Sequence, residues 1–155
     1  MAVTNIKGIR NRTPFWVAFR KLEDPQKNVG KVAPGESLAH EIWIPWVNDG
    51  LEFAKKVLIV DVNQRWRAYI WQKGDYIFYR RGPASGPETG FPYHEPPRTI
   101  VQDVPLGLAD SKYFVEGVPI PGVSVIRGDR ILTIHHIPGR RLPLTSFFDV
   151  SLTAI

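Results

Sequence analysis

Residues 64–81 read QRWRAYIWQKGDYIFYRR, two runs of aromatic, branched and charged residues either side of a Lys-Gly-Asp break. Glycine accepts the positive φ of a tight hairpin turn, and the flanking residue types favour extended backbone. A turn at Lys73-Gly74 sets Trp71 opposite Tyr76, Tyr69 opposite Phe78 and Arg67 opposite Arg80. Side chains alternate along a strand, so Trp66, Ala68, Ile70, Ile77 and Tyr79 share the other face. That second face is apolar enough to be core. The first is aromatic in the middle and cationic at its end. Left open to solvent it is a stacking platform with cation–π capacity; covered by a second sheet or a long loop, it is the other half of the core.

The rest of the chain carries the same signature. Fourteen prolines and thirteen glycines interrupt its 155 residues too often for helices of ordinary length. Strands are expected at about 3–10, 15–22, 29–33, 37–44, 55–62, 65–72, 75–81, 99–104, 112–117, 122–127, 130–137 and 145–153. One helical turn is expected near Asn48 to Lys55, where NDGLEFAK offers a cap and an apolar face. A second hairpin is expected in VSVIRGDRILTIHHI, with its turn at Gly128-Asp129 and Ile126 opposite Ile131. There the Arg127-Gly128-Asp129 tripeptide reads as turn chemistry rather than as an adhesion signal. The pattern predicts one all-β domain over residues 1–155, an antiparallel two-sheet β-sandwich of jelly-roll or Greek-key type with eight to ten strands. Residues 82–98 form a Pro/Gly-rich connection, with five prolines and three glycines in 82–97.

Composition narrows the function classes. With no cysteine, neither a disulfide nor a thiolate nucleophile is available. The first residues lack a signal peptide's apolar run, and no stretch reaches the roughly 18 apolar residues of a membrane span, which predicts a soluble, cytoplasmic protein. Net charge is +5, and the basic excess lies in residues 1–81, with 14 Lys or Arg against 8 Asp or Glu. No basic run exceeds two residues, so a polyanion partner such as nucleic acid is allowed but not favoured.

A further candidate is HEIWIPW, residues 40–46. Extended, it directs His40, Ile42, Ile44 and Trp46 one way, as core, and Glu41 and Trp43 the other. A carboxylate beside an indole suits a sugar, whose CH-rich face stacks on the ring while its hydroxyls donate to the carboxylate. The competing reading buries Trp43 and pairs Glu41 with a lysine or arginine. The fragment VAPGESLAHE, residues 32–41, resembles the first metal-binding motif of cupins, which implies a metal site drawn from His40, His94 and His135 or His136. It departs from that motif in lacking His-x-His with a following glutamate, and adjacent residues on a strand face opposite ways. No serine lies in a nucleophile-elbow setting and no glycine loop precedes a helix to cradle phosphate, so no enzyme and no cofactor are implied.

The expectation is therefore a non-enzymatic recognition module, lectin-like, that binds a glycan or other polar or anionic ligand through Glu41, Trp43, Arg67, Tyr69, Trp71, Tyr76 and Arg80, with Asp49 as a further hydrogen-bonding group. Homo-oligomers are expected with it, since single shallow sites bind weakly. Two alternatives stand beside it. One is an anionic-surface binder using Arg65, Arg67, Arg80 and Arg81, and the other is an assembly protein that buries the aromatic face between subunits.

Overall fold

The computed structural model describes residues 4–23, 29–63, 66–83, 114–126, 128–137 and 148–155. Its elements in chain order are β1 (Thr4–Arg12), β2 (Val17–Lys21), β3 (Val29–Val32), β4 (Ser37–Trp43), α1 (Gly50–Lys56), β5 (Leu58–Val62), β6 (Trp66–Lys73), β7 (Tyr76–Pro83), β8 (Val118–Pro119), β9 (Gly128–His136) and β10 (Phe148–Ala154). They form a four-stranded sheet, ordered β10-β9-β1-β4, and a six-stranded sheet, ordered β3-β2-β5-β6-β7-β8. The two pack face to face as an all-β sandwich. The expected strand at 99–104 and the Pro/Gly-rich connection past residue 83 lie outside the described residues. Among the described residues no helix is long and apolar enough to cross a membrane.

Between the sheets the core is built by alternation, shifted by one residue in β1 at a bulge between Ile6 and Gly8. Ile6, Ile9, Ile42, Leu132, Ile134 and Val150 meet Val17, Phe19, Val60, Val62, Ala68 and Ile70, all of them buried. Asn11 seals one end of it. Its Nδ2 donates to the carbonyls of Phe15 at 2.7 Å and of Val32 and Ala33 at 3.1 Å, and its Oδ1 accepts from the Thr13 hydroxyl at 2.7 Å.

The six-stranded sheet has a second apolar layer on its other face. Asp49 caps α1 by accepting from the Glu52 N–H at 2.8 Å, and the helix lays Phe53 on Tyr69 and Trp71, with ring centroids 5.6 and 5.0 Å away. Phe114 and Phe78 close over Trp71 from the other side. Being buried on both faces is why β5 and β6 read as nearly unbroken apolar and aromatic runs.

Four expectations are corrected. The sandwich is not wholly antiparallel, because β9 inserts beside β1 in parallel, Ile9 facing Leu132 and Asn11 facing Ile134. The first hairpin forms with its faces as expected but turns at Gly74-Asp75, with Gly74 at φ +62°, so Trp71 faces Phe78 and Tyr69 faces Arg80. That two-residue slip preserves every side chain's face. The second hairpin does not form. Gly128 is the first residue of β9, and 121–126 instead stitches the two sheet edges together, through Val123 N–H to the Leu152 carbonyl (2.8 Å) and Ile126 N–H to the Asp75 carbonyl (3.1 Å). Residues 114–116, expected as strand, are a helical turn leading into β8.

Candidate functional site

Strand β4, at the edge of the four-stranded sheet, carries the first four residues of HEIWIPW, and Ile44, Pro45 and Trp46 follow its end. Ile42 packs in the core and His40 lies edge-on against Phe19, with centroids 5.0 Å apart, so Glu41 and Trp43 are turned outward by alternation. Trp43 is 47 % exposed, an open indole rather than a core residue.

Register supplies its neighbours. Asn5 of β1 stands directly across from Trp43, and on its other side faces Asp129 of β9. A bulge between Ile6 and Gly8 then brings Lys7 over Glu41, with Nζ 2.9 Å from Oε2. The hydrogen bond from Lys7, with a further one from Asn5, holds the Glu41 carboxyl below the ordinary carboxylate range. The same bond to Glu41 raises Lys7, with Asp129 adding to the effect. Asn5 is buried beneath this cluster, and its Oδ1 has no hydrogen-bond donor among the described residues. The arrangement sets an accessible aromatic face beside an ionised carboxylate and an ammonium. These can orient hydroxyls, and the ring can stack on an apolar ring face.

The remaining expected site residues fall elsewhere. Arg67, Tyr69 and Trp71 are fully buried under α1 and its neighbours, so the covered reading of the hairpin face holds and the open platform does not. Arg67 makes a bidentate pair with Asp61, Nε to Oδ1 at 2.6 Å and Nη2 to Oδ2 at 3.1 Å, and lies over the Tyr69 ring. Burial pushes the Asp61 carboxyl up while the Arg67 bonds pull it back. Burial alone would lower Arg67, but its bonds to Asp61 leave it raised and charged. Tyr76 is exposed at the hairpin turn, and Arg80 reaches Glu116 at 3.5 Å. Asp49 is committed to its helix cap.

Of the cations assigned to an anionic-surface site, Arg67 and Arg80 are paired, Arg81 reaches Asp149 at 3.7 Å, and Arg65 lies outside the described residues. His94 also lies outside them, and among the described residues no three histidine, cysteine or acidic side chains gather as a metal site. His135 Nε2 sits 2.6 Å from Ser151 Oγ, the reach of a base on a nucleophile. However, the Oδ1 of the cross-strand neighbour Asp149 accepts from the Tyr79 hydroxyl at 2.9 Å, and among the described residues no triad is assembled.

The chain matches no protein-family model, and neither the curated proteins nor the solved structures contain a match to it. Fold and site together define an all-β sandwich with an open aromatic–charged cluster on an edge strand among its described residues.

Proposed function

We propose that the protein is a non-enzymatic carbohydrate-recognition module in which Trp43 stacks on a sugar ring while Glu41 and Lys7 hold its hydroxyls. The observation that carries this reading is the half-exposed indole of Trp43 standing beside an ionised Glu41–Lys7 pair. Large aromatics are usually buried, and one held open beside ready acceptors and donors is suited to a polyhydroxylated ligand. A glycan array probed with the native chain and with Trp43→Ala tests it. Binding to a related set of glycans that Trp43→Ala abolishes supports the reading, and silence of the native chain across the array sinks it.

A second reading, self-assembly, is favoured by a separate apolar strip along the β7 and β8 side of the other sheet. Tyr76 is 48 % and Val125 50 % exposed, and an isolated bridge joins them, with Val123 exposed two residues before Val125. Such a strip on a monomer commonly marks a contact surface. Sedimentation of Val125→Lys beside the native chain separates the two readings, since only assembly through this strip would make the native chain larger than the variant.

A further inference from the structure

We infer that the recognition face extends along β1 to Arg10 and Arg12, and that its ligand is an acidic oligosaccharide whose carboxylate or sulfate group docks on these two guanidinium groups. The inference rests on the proposed Trp43 site and names the class of ligand that site takes.

Arg10 and Arg12 are exposed, while Ile9 and Asn11 between and before them are buried. Alternation therefore puts both arginines on the outer face of the four-stranded sheet, the face that carries Asn5 and Lys7. Among the described residues neither guanidinium is paired with a carboxylate. Lys7, Lys21, Lys56, Arg67, Arg80 and Arg81, by contrast, all reach one.

The residues registered directly across from them are donors, and the exposed Glu36, whose carbonyl accepts from the Asn11 N–H between them, makes no ion pair with either arginine among the described residues. Arg10 lies across from Ser37 on β4 and from Thr133 on β9, and Arg12 lies across from His135, itself bonded to Ser151. The nearest carboxylate in that row, Asp149, is turned to Tyr79 and Arg81. Two unneutralised guanidinium groups two residues apart, flanked by hydroxyls and an imidazole, form a forked donor set for an oxyanion.

The two ends of the face differ in sign. Around Trp43 stand Glu41 and Asp129 with Lys7 between them, a setting that accepts from hydroxyls and repels anions. From Asn5 to Arg10 the strand runs about 16 Å at roughly 3.3 Å per residue, room for a short oligosaccharide. A neutral ring would sit over Trp43 and the acidic group of a neighbouring unit at the arginines.

The test is an array of matched glycans, each acidic member printed beside its neutral form: uronate beside carboxyl-reduced, sulfated beside desulfated, sialylated beside desialylated. It is run with the native chain, Trp43→Ala and the double variant Arg10→Gln/Arg12→Gln, after each variant is shown to melt cooperatively. The native chain should bind acidic members about tenfold or more tightly than their neutral partners. The arginine variant should lose that preference while keeping neutral binding, and Trp43→Ala should lose both. Equal binding of matched pairs, or an acid preference that survives in the arginine variant, overturns the extension and leaves the Trp43 site standing. Silence of the native chain, or binding indifferent to Trp43→Ala, overturns both.

Discussion

Gly117 lies against the ring of Trp71 so closely that a Cβ at this position would come within 2.3 Å of Cζ2. The glycine lets the turn after Phe114 lie flat on the indole that anchors the outer layer of the six-stranded sheet. The ring is wedged by Phe53 and stacked on Phe78, which leaves it little room to yield. Gly117→Ala is therefore expected to cost about 1–3 kcal/mol by overpacking. Trp71→Ala, which leaves a cavity, should cost about 3–5 kcal/mol. Urea denaturation of both variants checks the pair, and a neutral Gly117→Ala would show that the turn is free to lift.

The Arg67–Asp61 pair should behave as a buried ion pair. Asp61→Leu or Arg67→Met alone strands a partner with almost no access to water, and a loss of about 3–5 kcal/mol is expected. Replacing both at once, as Asp61→Leu/Arg67→Met, should recover much of that loss, because no charge is left buried. A double-mutant cycle reads the coupling. Additive losses would contradict a direct pair.

Tyr79 predicts alkaline sensitivity. Burial, then its hydrogen bond to Asp149, pushes its hydroxyl up from 10.0 to about 12. An acid whose pKa is higher folded than unfolded contributes stability that is present below the unfolded value and is lost as pH rises between the two. The native chain should therefore lose about 1–2 kcal/mol from this group by roughly pH 11.5, beyond what Tyr79→Phe loses. Parallel pH titrations of stability for the two proteins would reveal the difference, and coincident curves would refute it.

Trp43→Ala and Glu41→Gln should separate recognition from folding. Both side chains project from an edge strand, so melting temperatures should stay near that of the native chain while glycan affinity falls, by at least ~2 kcal/mol for the tryptophan if it is the central anchor. Because the Glu41 carboxyl is held below its ordinary range, the contribution that Gln removes should persist into mildly acid solution and disappear only as the carboxyl protonates. Affinity measured by tryptophan fluorescence from pH 7 downward tests the direction.

Alternation made most of the fold readable. The strands from β1 to β7 and the short helix lie within a few residues of where residue type and punctuation place them, and Trp43 faces outward as its neighbours in HEIWIPW require. Pairing was less readable. Local turn chemistry at Gly128 suggested a hairpin, but β9 pairs with β1, and that long-range match leaves no mark at the turn. The same blindness hid Lys7, Asn5 and Asp129: Lys7 lies 34 residues from Glu41, and only the bulged β1–β4 register brings them together. Arg67, Tyr69 and Trp71 misled because an aromatic face looks the same in sequence whether water or a helix covers it.

The parallel β1–β9 pair also sets an order of assembly. As the chain leaves the ribosome, β2, β3, β5, β6 and β7 can pair by residue 83, whereas β1 gains its second neighbour only after residue 128 has been made. Closing so long a loop is slow. Asp129, Thr133 and His135 thus join the outer face late in synthesis, and until then one edge of β1 is open to the wrong strand, which makes this edge the point where a nascent chain is most vulnerable to chaperone dependence and misassembly.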